Sequence, residues 1–501
     1  MSTTTGHPSP RRASSASVPW IALGGVVLAA VLLRFPTLAV QSLWFDEAAT
    51  WDLVRQPFGE MLHRIPSGES NPPLFYVLEW AWMRVIGDGE AGLRSLSALA
   101  GVLTVPIAYG IGLRLAGRRA GLATAALVAV NPLLVWFSQE ARSYSLVVLL
   151  SAAALLLFLR CAEDERPSAL GAWAVVAILA LATHYFAAFV LAPQALWLLW
   201  RHPRRGAATA AVGALALAGL ALLPLLLAQS GNPYDIAGES LAVRAAQVPK
   251  EFLLGYRGPL AVVLGLVAAA LVAGGVWLLV ARTEGRVRAG GFGVAGIGLV
   301  GVLLPLAAAP AGVDYLNARN TLPALVPLLA ALGVGYGGAR AARVLGTWLL
   351  ACLCVLSVAV VVAVAADADY QRPDWAGLAD ALGSAAGQRA LVVSPANGSL
   401  VLSYYRPGLR TMTAEGARVR EVDVVAVAGS GRPGAAPELP ELLGTTLAVP
   451  GFGAPQRSAT STYEILRFRA TDEPVAVTPD PLGIVRFGVL PPAIAVLPAG
   501  R

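Results

Sequence analysis

The feature that most constrains this chain is a series of apolar runs, each about 17 to 25 residues long, the length that crosses a hydrocarbon core of roughly 30 Å as a helix. Backbone N–H and C=O groups find no water inside lipid, so each run is expected to pair them internally as an α-helix. Composition points the same way: 56% of the 501 residues are hydrophobic and 13% are charged. Soluble globular chains carry roughly a quarter charged residues. The expected fold class is a mainly α, polytopic membrane protein.

The runs fall near residues 19–38, 94–113, 119–137, 144–160, 168–182, 186–200, 207–228, 259–281, 290–311, 320–338 and 344–366, about eleven spans. Residues 1–18 begin polar and basic, and read as a disordered tail before a helical region over 19–366. The first run is long for a signal-peptide core and no small-residue cleavage site follows it, so it reads as a retained anchor. Arg11 and Arg12 place the tail in the cytoplasm by the positive-inside rule. The first helix then delivers Asp46 to the extracytoplasmic face of the plasma membrane.

The other arginine clusters fit this topology. They are Arg114, Arg118 and Arg119; Arg160 and Arg166; Arg201, Arg204 and Arg205; Arg282, Arg286 and Arg288; and Arg340 and Arg343. They sit in short loops between runs, so the net charge of +7 reads as topology and not as a nucleic-acid surface. Cys161, Cys352 and Cys354 lie in or beside apolar runs and read as small core residues, with no disulfide framework.

Two stretches depart from the simple bundle. The first external loop, 41–93, is long and holds "PLFYVLEWAWMRVIG", from Pro73 to Gly87, which is too short to span and carries Glu79 and Arg84. Its aromatics, Phe75, Tyr76, Trp80 and Trp82, suit a helix lying in the interface. From Asp367 to Arg501 charge and proline return, and "ALVVSP", "VDVVAVAG", "TTLAVPG" and "YEILRFRA" read as strands. "PDWAGLADALGSAAG" reads as an amphipathic helix. An odd number of spans puts this α/β domain, 367–501, outside.

Several polar residues then gather at the outer ends of helices. They are Asp46 and Glu47 in "SLWFDEAAT", Glu140, Arg142 and Tyr144 in "WFSQEARSYS", His184 and Tyr185 in "LATHYFAAF", and Arg319 in "DYLNARNTLPALVPLL". Ionisable groups at membrane depth are costly and mark functional sites. Moving a group off a lipid phosphate needs a base for the incoming hydroxyl and cations for the departing phosphate. This set supplies both.

The stretches "SLWFDEAATW", "SNPPLFYVLEWAWMRVIGDGEAGLRSLSALAGVLTVPIAYGIGLRLAGRRAG" and "NPLLVWFSQEARSYSLVVLL" resemble the GT-C glycosyltransferases of the protein-mannosyltransferase and aminoarabinose-transferase type, family 39 and its bacterial relatives. "THYFAAFVLAPQALWLL" and "ARNTLPALVPLLAALG" are similar to later segments of that group. The resemblance covers about Ser42 to Gly338, with the C-terminal domain matching in its opening "RPDW" and general type.

The resemblance implies a sugar carried on a polyprenyl phosphate and transferred with inversion. It implies Asp46 as general base, with Glu47 orienting or assisting it. Arg142 and Arg319 are implied to hold the donor phosphate, and Trp44, Glu140, Tyr144, His184 and Tyr185 to line the pocket. Some relatives bind a divalent metal near the first loop, and Asp46, Glu47, Glu140 and His184 carry suitable donor atoms. Their spacing forms no metal motif, so no metal ligand is assigned and a divalent cation stays open. Eukaryotic protein mannosyltransferases carry luminal repeats that are missing here, which leaves glycan, glycolipid and protein acceptors all open. A lipid or solute transporter or flippase is the alternative, but transporters tend to place ionisable groups at the midplane of two similar halves. A binding module on an anchor would leave most of the helices without a purpose.

Overall fold

The computed structural model describes residues 18–163, 166–201, 206–230, 240–384, 387–428, 442–443, 449–482, 486–487 and 491–499. Arg11, Arg12, Arg204, Arg205 and most of the expected strand "TTLAVPG" lie outside the described residues.

The described chain opens with α1 (Val18–Leu32), and the long first external segment then holds three helices: α2 (Phe45–Val54) and α3 (Phe58–Gly68), which the sequence did not announce, and α4 (Leu74–Ile86), where a helix was expected. The bundle continues through α5 (Glu90–Ala116), α6 (Arg118–Val130), α7 (Pro132–Ser138), α8 (Tyr144–Glu163), α9 (Pro167–Thr183), α10 (Ala188–Arg201) and α11 (Gly206–Gln229). After α12 (Leu241–Leu254) come α13 (Ala261–Arg282), α14 (Gly285–Ala308), α15 (Leu325–Gly338) and α16 (Arg343–Ala366).

Six of these helices are long and apolar enough to cross a membrane, or seven if the bent pair α6 and α7 is one span. The expected total of about eleven also counts α1, α9, α10 and α15, which are helical but shorter. The chain is a multi-pass membrane protein. The packing says which helices face lipid: 61% of the apolar stretch of α5 is buried inside the protein, against 11% for α11. Leu217, Leu220 and Leu227 on α11, Leu266 on α13 and Val355 on α16 are exposed, apolar faces of the kind a bilayer covers.

Local chemistry explains the break between α6 and α7. Pro132 has no N–H to continue the ladder and takes the first helical position of α7, while the Asn131 side chain accepts from the Leu134 N–H at 3.0 Å. The two helices meet at 57°. The carbonyls freed at the end of α6 are met by Arg34, fully buried just beyond α1, which donates to Ala129 O at 2.7 Å and Val128 O at 3.3 Å. Its Nε donates to Ser138 Oγ at 3.1 Å. Arg34 thereby fixes both sides of the bend.

The C-terminal domain begins with α17 (Trp375–Leu382), and α18 (Gly398–Tyr405) follows its first strand. Its main sheet has six strands in the spatial order Arg410–Thr411, Ala493–Leu497, Arg389–Ser394, Glu421–Val427, Tyr463–Arg469 and Gln456–Ala459. Arg389–Ser394 pairs parallel with Glu421–Val427, and the other neighbours are antiparallel. One hydrophobic cluster joins this domain to the bundle: Trp375, Leu378, Val401 and Val425 pack with Leu43, Ala48, Trp51, Leu93 and Ala141. The domain is therefore seated on α2 and on the residues leading into it.

Candidate active site

Asp46 and Glu47 are the second and third residues of α2, where the unpaired N–H groups of a first helical turn favour carboxylates. The two then diverge. Glu47 is fully buried and accepts from Arg94 Nε at 2.7 Å and Nη2 at 2.6 Å, and from the Ala141 N–H at 3.0 Å. Burial alone would raise its carboxyl, but Arg94, Arg372 and the Ala141 N–H outweigh that and hold it below the usual carboxylate range. Arg94 also donates to the carbonyls of Leu38, Gln41 and Ser42, closing the turn that precedes Asp46. Glu47 is thus the fixed anchor of the pair.

Asp46 faces a cavity of about 280 Å³. Arg319 donates to its Oδ2 through Nη1 at 3.3 Å. Arg142, from the turn between α7 and α8, reaches the same cavity but is also held at depth. Its Nη1 donates to both oxygens of Glu69, at 3.1 and 3.0 Å, and to Thr50 Oγ1 at 3.2 Å. Tyr76 donates to Glu69 Oε2 at 2.5 Å. Burial raises the Glu69 carboxyl despite the opposing pull of Arg142 and Tyr76.

His184 and Tyr185 follow the end of α9, and both line the cavity, as does Tyr144. The His184 Nδ1 accepts from the Phe186 N–H at 3.2 Å, which leaves Nε2 to carry the proton of the neutral ring. Burial, then Arg142 and Arg319, push its pKa down to about 3, so at neutral pH it is an uncharged hydrogen-bond donor. Tyr185 donates to Gln229 Oε1 at 2.7 Å. Phe186, Phe189, Leu226 and Val313 add apolar surface to the lining, and Ser70, Asn71, Gln229, Ser230 and Asn320 add neutral polar groups.

Trp44, Glu47 and Glu140 do not line this cavity. Trp44 caps α2, its N–H 3.4 Å from Glu47 Oε2. Glu140 is fully buried and accepts from Arg372 Nη2 at 3.0 Å. Four carboxylates therefore each have their own arginine: Asp46 with Arg319, Glu47 with Arg94, Glu69 with Arg142 and Glu140 with Arg372. Arg94, Glu69 and Arg372 were not selected from the sequence. Arg94 stands at the head of an apolar run, Arg372 in "RPDW" and Glu69 just before "SNPPL", but none is near its partner in the chain.

The donor atoms suggested for a divalent metal do not converge. Glu47 and Glu140 are paired with Arg94 and Arg372, and among the described residues no three His, Cys, Asp or Glu side chains are placed to hold an ion.

The sequence profile of the dolichyl-phosphate-mannose-protein mannosyltransferase family matches residues 70–227. No curated protein matches the chain. Among solved structures, ArnT from Cupriavidus metallidurans in the apo state is similar at TM-score 0.53 and 16% identity, over 78% of this chain and 85% of that one. The same protein bound to undecaprenyl phosphate is similar at TM-score 0.52 and 13% identity, over 90% and 98%. The arabinofuranosyltransferase AftD from Mycobacteria is similar at TM-score 0.50 and 15% identity, over 92% of this chain and 40% of that one.

Proposed function

From a chain with the GT-C fold, part of which matches the mannosyltransferase family profile, we infer a membrane glycosyltransferase that moves a sugar from a polyprenyl-phosphate-linked donor to a hydroxyl acceptor at the extracytoplasmic face. One arrangement carries this reading: a carboxylate, two arginines and a neutral histidine share a cavity that Phe186, Phe189, Leu226 and Val313 also line. Charged and apolar side chains lining one cavity suit a ligand that is prenyl chain at one end and phosphate at the other. The similar fold that holds undecaprenyl phosphate fits the same ligand class.

In this reading the acceptor hydroxyl attacks the anomeric carbon in line with the bond to phosphate. The carbon–oxygen bond breaks with its electrons going to the phosphate, and the configuration inverts. Asp46 takes the hydroxyl proton as the new bond forms. Arg319 and Arg142 face the charge that grows on the departing phosphate, and the preformed ion pairs keep them aimed there without reorganisation. Among the described residues the side-chain hydrogen bonds of Arg142 all leave through Nη1, so its Nη2 is free to meet an incoming phosphate. His184 Nε2 donates to donor or acceptor oxygens. The acceptor is a glycan, a glycolipid or a protein.

The test is purified protein in lipid with a panel of polyprenyl-phosphate sugars, following release of free polyprenyl phosphate. Loss of general-base catalysis is worth about 10²- to 10⁴-fold. Asp46→Asn is expected to lose release by at least that lower factor while inserting and melting like the intact chain. Turnover retained in that variant removes Asp46 as the base.

A further inference from the structure

The C-terminal domain enters the bundle through Arg372, and this residue does more than join two halves. It is buried, and its guanidinium lies over the Trp136 ring at 4.4 Å. Its backbone N–H donates to Gln41 Oε1 at 3.1 Å and its Nη2 to Glu140 Oε2 at 3.0 Å. The other oxygen of Glu140 has no hydrogen-bond partner among the described residues. Arg372 is the cation paired with that carboxylate.

Glu140 belongs to the turn 139–142, and each of its neighbours holds part of the site. Gln139 donates to Arg34 O at 2.9 Å and Ala141 N–H to Glu47 at 3.0 Å. Arg142 lines the cavity. The next residues of the linker reach the other side of Asp46: Asp374 Oδ1 accepts from Ser42 Oγ at 3.2 Å, and Ser42 Oγ accepts from the Ala376 N–H at 3.0 Å. Both segments that frame Asp46 are therefore tied to one short stretch of the C-terminal domain.

We propose that the C-terminal domain is a working part of the site, with Arg372 as a positioning residue that pairs with Glu140 and so sets the 139–142 turn from which Arg142 acts. This rests on the transferase reading above. Glu140 is faced by Arg372 from the linker, Asp46 and Glu47 from α2, Tyr144 from α8, and Tyr256 and Arg319 from the loops beyond α12 and α14. Burial pushes its carboxyl up to about 7, with Arg372 pulling down and the two acids adding to the rise. Without Arg372 the carboxylate form therefore appears only at higher pH.

The experiment uses the full chain in lipid, with Arg372→Gln and Arg372→Lys assayed from about pH 5 to pH 9. For Arg372→Gln the expected result is about a tenfold or larger fall in kcat at neutral pH, a donor KM within about threefold, and an acid limb moved up by about one pH unit or more. Arg372→Lys, which keeps a charge, moves the limb the same way by less. If Arg372→Gln does not fold, Arg372→Lys carries the test, and an unmoved limb in it overturns the proposal. A loss equal at every pH overturns it too, because a plain anchoring role would give that result. If the intact chain releases no lipid phosphate from any donor, the transferase reading fails separately. The infrared carboxyl band of Glu140, assigned by its absence in Glu140→Gln, still reports on Arg372: it is expected to titrate at higher pH in Arg372→Gln, and an unmoved band overturns the proposal.

Discussion

At the scale of single residues, adjacent acids in one helical turn have opposite duties because of what surrounds them. Glu47 has spent its acceptor capacity on Arg94 and two N–H groups, whereas Asp46 is held by one arginine and opens to the cavity. His184 illustrates the same rule with a neutral ring. Its pKa in the folded protein is about 3, while an unfolded histidine titrates near about 6.5. As pH falls through that window the unfolded chain takes up a proton that the folded chain refuses, so this group's contribution to stability is present above about 6.5 and is lost toward 3. His184→Asn is therefore expected to show a shallower fall of its unfolding midpoint over that range than the intact chain. Equal slopes in the two proteins would show that the ring does not stay neutral.

At the scale of elements, the bundle is assembled by small residues where helices have no hydrophobic driving force to bring them together in lipid. Gly337 on α15 lies so close to α6 that a Cβ there would stand 2.4 Å from Ala120 N and 2.6 Å from Ala120 Cα. Those are backbone atoms, so the contact can be relieved only by moving one helix away from the other. Gly213 on α11 has nothing within 4 Å of the same added carbon. Gly337→Ala is expected to cost about 1–3 kcal/mol through overpacking, and Gly213→Ala to cost nothing or gain slightly from helix propensity. Thermal unfolding in detergent compares the two, and a pair of equal midpoints would refute close α6–α15 contact. This contact also matters for the site, because α6 leads through the bend at Pro132 into the 139–142 turn.

At the scale of the whole molecule, what was legible in the sequence was local, and what was hidden was pairing. Apolar runs announce helices because lipid allows a buried backbone no other partner, and alternation in "VDVVAVAG" and "YEILRFRA" announces strands of the later sheet. The polar residues of the cavity were legible as a group because they share one end of the bundle. Their partners were not, since Glu47 and Arg94 are 47 positions apart and Glu140 and Arg372 are 232 apart, and no periodicity spans such distances. The segment 41–93 reads as a loop because α2 and α3 are short and polar, and their burial comes from elsewhere: Trp51 of α2 packs against the C-terminal domain, and Met61 and Ile65 of α3 pack with Phe75, Tyr76 and Leu146. That seam gives the last prediction. Tyr405 Oη accepts from the Leu43 N–H at 2.7 Å and donates to Glu90, so one hydroxyl joins α18 to the residues before Asp46 and to the start of α5. Tyr405→Phe keeps the ring and strands both partners, at a cost of about 1–3 kcal/mol. If the domain holds this segment as one body, hydrogen exchange at the Leu43 amide is expected to speed up by about tenfold or more, while the interior of α5 exchanges as before. Unchanged exchange at Leu43 would mean that the segment is held from the bundle side, through Arg94 and Glu47, and that the C-terminal domain rests on a structure already complete.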